Sequence, residues 1–292
     1  MAATGRPDFA CSGGRTAARI DRLRRELWTL ETASSRASDD SLTVPLGTPA
    51  VDGTLGGGLG GGALHEIAAA AEAATAAATG FALMLAARRI SPSCPGGSCG
   101  DAGTIGMPRP GSNLVWIAED FSLAENGAPH GPALDSLGIA PERVITVAAA
   151  RGQDVLWAME EALRCRGVGA VIGELRPRGI DRVATRRLAL AAAAGGTLGL
   201  VLRTAPDAAP SAAATRWIIG AAPSSPSSGG EADELHGVGP PRVVAHLVRN
   251  RRGHLGAWIL EWNSVEQRFE LATDSEPVAG TAFDRSHRAA AG

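Results

Sequence analysis

One stretch constrains the fold of this 292-residue chain more than any other: TLGGGLGGGALHEIAAAAEAATAAATGFALML, from Thr54 to Leu85. It passes from a glycine-rich turn into a short apolar segment, Leu64–Ile67, which predicts a strand. An alanine-rich segment from about Thr75 to Arg89 follows and predicts a helix. A strand, a loop and a helix in this order are typical of phosphate-binding proteins. The stretch therefore raises the question of whether the chain binds a nucleotide.

Buried strands and helices alternate along the chain that follows. The predicted strands are the apolar runs at 113–118, 144–147, 167–175 and 198–203, and the predicted helices are 152–165 and 182–194. Three later runs, at 215–222, 242–250 and 256–264, predict strands with no helix between them and a hairpin turn at 249–256. This order indicates the α/β class, with a mostly parallel sheet flanked by helices and antiparallel strands at its C-terminal edge.

The chain divides by composition into a core and two flanking segments. The predicted parts, in order, are a flexible N-terminus 1–41, a core 42–272 with loop insertions at 91–112 and 223–241, and a disordered tail 273–292. Within the N-terminus, apolar residues recur at helical spacing and predict an amphipathic helix at 16–31. Two interpretations of that helix stay open, because its apolar face fits both packing on its own domain and docking on a partner.

The composition argues against a secreted, membrane or metal-bound protein. The formal net charge is -2, so no overall field attracts nucleic acid. Four cysteines do not form a disulfide framework in a chain this long, and Cys94 and Cys99 lack a second pair of zinc ligands. The N-terminus has no apolar signal segment, and the longest apolar run, 188–202, is too short to cross a bilayer. A cytoplasmic location without metal or membrane contact is the resulting prediction.

The segment 46–67 resembles the start of the nucleotide-binding core of RecA-type proteins. In that family a Leu-Gly pair precedes an apolar-Asp pair, a glycine-rich turn and a strand that ends in Glu-Ile. The matching residues here are Leu46, Gly47, Val51, Asp52, Leu55 and the pair Glu66–Ile67. The glycines at 56–62 therefore lie before the strand, and a phosphate-binding loop is expected after it.

The segment after that strand departs from a working phosphate-binding loop. Such a loop has the pattern G-x-x-x-x-G-K-[ST], in which glycines allow the backbone to surround the phosphates and lysine neutralises them. Residues 68–80 read AAAAEAATAAATG, and none of the chain's 28 basic residues is a lysine. In this register Thr79 stands at the magnesium-ligand position and Ala78 at the lysine. The sequence thus predicts a degenerate nucleotide site, no cofactor and no enzymatic activity.

Two glutamates bear on this interpretation, because each follows a predicted buried strand. The RecA-type resemblance places Glu119 where such ATPases keep a water-activating glutamate, and Glu174 where they keep an acidic residue that assists magnesium. Both lie at the strand ends where open α/β sheets bind ligands. One interpretation is altered magnesium chemistry near Ala78 and Thr79. The favoured one is a solvated or ion-paired carboxylate, because a general base without a phosphate clamp has nothing to act on.

Arginines form two clusters that are candidate contacts for DNA or a partner. The first contains Arg176, Arg178, Arg182, Arg186 and Arg187, and the second contains Arg249, Arg251 and Arg252. Such clusters neutralise phosphates, but single-strand binding usually adds exposed aromatic platforms. Trp258 and Trp262 lie near the second cluster in a pattern typical of strand packing. We therefore favour solvated surface for both clusters and expect only weak DNA binding.

Several further segments in the same order are similar to the ImuA proteins of bacteria, which are RecA-like proteins that typically lack an intact phosphate loop. These segments are 61–68, 78–88, 154–175, 186–203, 214–224 and 240–262. The resemblance covers roughly residues 44–271, which is most of the chain. It implies action in the SOS response with ImuB, an inactive relative of Y-family polymerases, and with an error-prone C-family polymerase.

The resemblance implies a non-catalytic adaptor for translesion mutagenesis, with RecA as a further candidate partner. Two alternatives stay open at this point. One is a RecA-superfamily ATPase with an atypical phosphate loop, which binding of Mg-ATP would reveal. The other is a cell-division inhibitor induced by DNA damage, which genes adjacent to this one would help to distinguish.

Overall fold

A nine-stranded mixed sheet runs through the core of the protein. The computed structural model describes residues 43–90, 112–175, 180–224 and 239–272. The predicted N-terminal segment with its helix at 16–31, the tail 273–292 and most of both loop insertions lie outside these described residues. No helix among the described residues is long and apolar enough to span a membrane.

The strands and helices follow the predicted alternation. The strands are β1 Thr43–Val44, β2 Leu59–Gly60, β3 Leu64–Ala69, β4 Asn113–Glu119, β5 Val144–Ala149, β6 Val168–Leu175, β7 Leu198–Arg203, β8 Thr215–Ala221, β9 Arg242–Asn250, β10 Gly256–Asn263 and β11 Arg268–Leu271. The helices are α1 Pro49–Leu55, α2 Thr75–Ile90, α3 Asp120–Asn126, α4 Gly131–Ser136, α5 Gly152–Arg164 and α6 Arg182–Gly195. Two short 3₁₀ turns lie at Glu72–Ala74 and Pro141–Arg143.

The sheet is mostly parallel, with an antiparallel C-terminal edge, as predicted. Its strand order is β11-β10-β9-β8-β3-β7-β6-β4-β5. The pairings from β5 through to β8 are parallel, and the pairings among β8, β9, β10 and β11 are antiparallel. β8 therefore joins the two parts, and the unpredicted β11 forms the edge. The carboxyl ends of β3, β4, β6 and β7 lie along one edge, where ligands bind open α/β sheets.

Helices cover both faces of the sheet. α2 packs on one face, where an aromatic cluster holds the antiparallel strands against it: the Phe81 ring lies 5.6 Å from Trp217 and 5.4 Å from Phe269. Trp262 joins this cluster 5.1 Å from Phe269, and Trp258 packs beside it. The prediction that these two tryptophans pack within strands is confirmed. α5 and α6 cover the other face through Val155, Met159, Leu163 and Leu188.

The glycine-rich turn lies before β3, as the sequence pattern predicts. Gly56 ends α1 in the left-handed conformation, and Gly58 has a φ of 138°. A Cβ on Gly58 would lie 2.5 Å from the Val44 carbonyl oxygen, so only glycine fits there. Asp52 fixes the same turn, because its carboxylate accepts the N–H groups of Leu46 at 2.7 Å and Gly47 at 2.9 Å. The Asp of the RecA-type pattern therefore has a structural role here.

Candidate functional site

The connection between β3 and α2 occupies the position of a phosphate-binding loop. β3 ends at Ala69, a 3₁₀ turn follows at Glu72–Ala74, and α2 begins at Thr75. The Thr75 hydroxyl donates to the Glu72 carbonyl at 2.7 Å, and the Ala70 N–H donates to a carbonyl of β8 at 2.8 Å. The described residues 70–75 include no glycine and none with a positive φ.

Ala78 and Thr79 lie one helical turn beyond this connection. Ala78 is fully buried in the core between α2 and the sheet, and Thr79 is part-buried within the helix. The residue at the start of the helix, where the phosphate-loop pattern has its lysine and hydroxyl, is Thr75. Ala78 and Thr79 thus lie three and four residues after the start of the helix, and their assignment to the lysine and magnesium-ligand positions stays a prediction.

A cleft of ≈ 500 Å³ opens beside Thr75 at the carboxyl ends of the parallel strands. Its polar lining consists mainly of Glu72, Thr75, Ser122, Glu125, Glu174 and Thr204. Three of these are glutamates, and the described lining contains no arginine. Residues 176–179, which include Arg176 and Arg178, follow β6 directly and lie outside the described residues. The described lining is therefore acidic and disfavours a polyanionic ligand.

The two glutamates singled out by the sequence lie at the carboxyl ends of the neighbouring strands β4 and β6 and have different surroundings. Glu174 lines the cleft together with Thr75. Glu119 ends β4, and its Oε1 lies 3.1 Å from the position that a Cβ on Gly152 would take, at the start of α5. The positive end of the α5 dipole is a favourable place for a carboxylate. Among the described residues no group of three or more His, Cys, Asp or Glu side chains is arranged to hold a metal ion.

The described part of the first arginine cluster lies on α6. Arg187 forms an ion pair with Glu160 of α5, Nη2 to Oε2 at 2.5 Å, and Arg164 pairs with the same carboxylate. Burial alone would raise the pKa of Glu160, but the hydrogen bonds from Arg164 and Arg187 outweigh it and the pKa is lowered. Arg186 is exposed. Arg187 therefore joins two helices through an ion pair, whereas Arg186 stays on the surface.

The second arginine cluster is divided between the sheet and the β9–β10 hairpin. Arg249 donates to the Ser211 carbonyl at 2.6 Å, and burial lowers its pKa. Arg251 is exposed at the hairpin, and Arg252 lies beside Gly60 and the buried His65. The structure thus gives the three arginines different surroundings, and the charge of Arg251 also lowers the pKa of Arg249.

Comparison with known proteins places the chain in a family. No protein-family model matches it. It is 33% identical over 227 residues to Protein ImuA of Caulobacter vibrioides, in two strains of that bacterium. The alignment covers 74% of this chain and 81% of each relative. The chain belongs to the ImuA family. Membership of the ImuA family supports a role in damage-induced mutagenesis.

A buried ion pair in this ImuA-family chain has no local sequence signal. Glu66 of β3 and Arg216 of β8 are direct partners in the parallel pairing, with Arg216 Nε 2.6 Å from Glu66 Oε2. Glu66 belongs to the Glu-Ile pattern of the RecA-type resemblance, but Arg216 lies 150 residues away. Only the pairing of the two strands brings them together, so sequence reasoning missed the pair.

The same pair holds the linker between β7 and β8. Arg216 also donates to the carbonyls of Asp207 at 2.7 Å and Ala209 at 2.8 Å. Arg203 pairs with the Asp207 carboxylate at 2.6 Å. A backbone hydrogen bond from Ala209, together with Arg203, lowers the pKa of Asp207. Linker 204–214 of this ImuA-family chain is therefore fixed by arginines and lies next to the acidic cleft.

His65 gives the ImuA-family fold a predicted sensitivity to acid. Its ring is buried between the Thr215 hydroxyl at 2.8 Å and the Gly60 carbonyl at 3.0 Å. Burial lowers its pKa from 6.5 to about 4. Between pH 6.5 and about 4 the unfolded chain binds more protons than the folded chain. The free energy of unfolding therefore falls as the pH drops through this range. We expect the histidine to remove about 2 kcal/mol of unfolding free energy between about pH 7 and about pH 5.

Urea denaturation of the unmodified chain and of His65→Gln at both pH values measures this effect. Glutamine keeps a donor and an acceptor but does not titrate in this range. Because glutamine does not titrate, the variant should lose less stability on acidification. It should also be less stable than the unmodified chain at neutral pH. An equal loss in both proteins would contradict the assignment to His65.

Proposed function

We propose that this chain is a non-catalytic, RecA-like adaptor of the damage-induced translesion synthesis complex. In this proposal it acts with an ImuB-like protein and an error-prone C-family DNA polymerase, and RecA is a further candidate partner. Its own contact with DNA is weak or indirect. It hydrolyses no nucleotide and uses no cofactor.

The chemistry of the cleft carries the proposal. A triphosphate is held by glycine-rich backbone, a lysine and a magnesium ion. Here the connection from β3 to α2 has no glycine, the chain has no lysine, and three glutamates line the described cleft. Each missing group removes a charge-assisted hydrogen bond, and the carboxylates add repulsion. Loss of the nucleotide removes a switch but leaves the surfaces through which such a fold docks on other proteins.

One such surface is the edge strand β5. It forms one end of the nine-stranded sheet, and among the described residues it pairs only with β4. It carries no charged residue, and Ile145 is 51% exposed. An unpaired, uncharged edge strand favours the addition of a strand from another protein. This feature supports the proposal that the chain functions by binding other proteins.

We expect no saturable heat when Mg-ATP is titrated into the purified chain at concentrations up to about 1 mM, the upper end of ordinary substrate constants. The physical reason is that the chain has no lysine to bind and neutralise the phosphates. RecA titrated under the same conditions is the positive control. Saturable binding of Mg-ATP would revive the alternative of an ATPase with an atypical loop.

The adaptor role has its own test in reconstitution. The purified chain should form a complex with the ImuB-like protein of the same organism at micromolar concentrations, measured by size-exclusion chromatography and light scattering. The polymerase and RecA are tested in the same way. If the chain associates with none of the three, the adaptor proposal is wrong, whatever the outcome with ATP.

A further inference from the structure

A groove of ≈ 340 Å³ runs between α5 and α6, on the opposite face of the sheet from α2. Its apolar lining comes from Leu156, Ala184 and Leu188, with the Trp157 ring at one side. Its polar lining includes the ion pair between Glu160 and Arg187. None of these residues lines the cleft at the carboxyl edge, so the groove is a separate feature of the molecule.

Large apolar side chains are exposed around this groove. Trp157 is 65% exposed, and on α6 Val183 and Leu190 are 66% and 62% exposed. Val183, Arg187 and Leu190 follow one another at spacings of four and three residues, which places them on one side of the helix. Their exposure is unexpected for a free surface, because clustered exposed apolar side chains mark sites of interaction with other proteins. Trp is also the residue type most enriched among binding hot spots.

The positive charge beside the groove comes from α6, whereas α5 carries the exposed Asp154 and Glu161. Glu160 is compensated twice, by Arg164 and Arg187, and Glu161 pairs with Arg164 at 3.2 Å. α6 itself contains three arginines and no acidic residue, and Arg182 and Arg186 form no ion pair with a described residue. Arg186 lies three residues after Val183 and four before Leu190, so its exposed guanidinium is left for a ligand and favours a carboxylate. Arg182 instead lies near Arg249, whose pKa its charge lowers.

We propose that the groove between α5 and α6 binds an amphipathic helix of a partner protein, with an apolar stripe flanked by acidic residues. The apolar stripe covers Trp157, Val183 and Leu190, and a flanking carboxylate pairs with Arg186. A helix lying between two helices is an established mode of recognition. This inference rests on the proposed adaptor role, and it adds the surface and the chemistry of the partner.

A single-stranded nucleic acid fits the groove less well. It would stack on Trp157 and contact the arginines, since base stacking and phosphate pairing use these groups. It offers nothing apolar to Val183 and Leu190, which would stay exposed to water. The stripe on α6 therefore favours a protein ligand, and DNA binding becomes an outcome that the experiment can detect.

The test uses the full chain and the purified ImuB-like protein of the proposed complex, with dissociation constants from biolayer interferometry. Trp157→Glu, Val183→Glu and Arg186→Glu should each weaken binding at least about tenfold, because they place a negative charge against an acidic partner. Val265→Glu is the matched control for Trp157→Glu and Val183→Glu, since Val265 is 91% exposed at the β10–β11 turn and the variant gains the same charge as these two. We expect its affinity to equal that of the unmodified chain.

A second measurement needs no destabilising variant. The chain has six tryptophans, and labelling with 5-fluorotryptophan gives each a fluorine resonance. The Trp157 resonance, assigned with Trp157→Phe, should shift when the partner is added, whereas that of the buried Trp262 should not.

The outcomes separate this inference from the adaptor role. Binding that is unchanged in all three groove variants, with a Trp157 resonance that does not move, would overturn the groove alone. Failure of the unmodified chain to bind would overturn the adaptor role and the groove with it. If the variants lose binding to a single-stranded oligonucleotide but keep binding to the partner, the groove is a nucleic-acid site and the inference is wrong.

Discussion

Replacing Arg216 with methionine is expected to lower the free energy of unfolding by about 3–5 kcal/mol, the cost of leaving one member of a buried ion pair alone. The Glu66 side chain is only 3% exposed, and Arg216 Nε lies 2.6 Å from its Oε2. Its other oxygen, Oε1, has no hydrogen-bond partner among the described residues. The variant therefore leaves a buried carboxylate between strands without its hydrogen-bonded counter-ion. Urea denaturation near neutral pH measures the loss.

The double variant Glu66→Leu with Arg216→Met shows whether the cost comes from the charge. A buried ion pair replaced by apolar residues of similar volume is often close to neutral. The carbonyls of Asp207 and Ala209 still lose their donor, so some loss remains. We expect the double variant to be more stable than Arg216→Met by at least about 2 kcal/mol. Simple addition of the two single losses would contradict the assignment.

Arg242 provides a matched control for this ion pair. It lies on β9 and pairs with Glu261 at 2.5 Å, but the Glu261 side chain is 23% exposed and keeps access to water. Arg242→Met should therefore lower the free energy of unfolding by less than Arg216→Met does, by about 1–2 kcal/mol. If both arginine variants lost the same stability, burial of the carboxylate would not be the cause of the larger effect.

The network around Arg216 also bears on function. It fixes linker 204–214, whose first residues, Thr204 and Ala205, line the cleft where a nucleotide-driven protein of this architecture would need mobile segments. A linker held by three arginines supports the proposal that the fold serves as a docking platform. Arg216→Met offers a way to loosen the linker and measure whether partner binding depends on its rigidity.

The sequence predicted the large elements of the fold because their signals are local. The helix expected at about 75–89 is Thr75–Ile90, and the strand expected at 198–203 is Leu198–Arg203. Long apolar runs and a terminating glycine decide such elements without tertiary information. The short elements α1, α3 and β11 were not predicted. α1 contains Pro49 and Gly53, and β11 has only four residues, so tertiary contacts decide their conformation.

The candidate sites were harder to predict, because they depend on which side chains meet. The sequence pattern pointed to Ala78 and Thr79, which lie within α2, whereas Thr75, which lines the cleft, was not considered as a site residue. The proposed groove also had no local signal, since an apolar side chain in an amphipathic helix is ordinarily buried. Trp157 instead lies on the outer side of α5, next to the arginines of α6. The packing of the two helices decides this.

Gly195→Ala is expected to destabilise the fold by about 3 kcal/mol, although alanine is the better helix former. Gly195 ends α6 where that helix meets the last turn of α5. A Cβ there would lie 2.0 Å from the Leu163 carbonyl oxygen and 3.1 Å from the Arg164 Cα. Both are backbone atoms, so no side-chain rotation relieves the clash and the two helices must separate. Thermal and urea denaturation measure the loss.

Gly80→Ala is the matched control, because Gly80 also lies within a helix and its Cβ would meet only Met84 Cε, at 4.0 Å. Helix propensity then acts alone, and we expect the free energy of unfolding to rise by about 0.5–1 kcal/mol. Opposite signs for two Gly→Ala changes would identify the contact between α5 and α6 as the cause. A gain in stability in both variants would mean that the helices separate at little cost.

Since these helices form the walls of the groove, Gly195→Ala should also weaken partner binding, whereas Gly80→Ala should leave it unchanged.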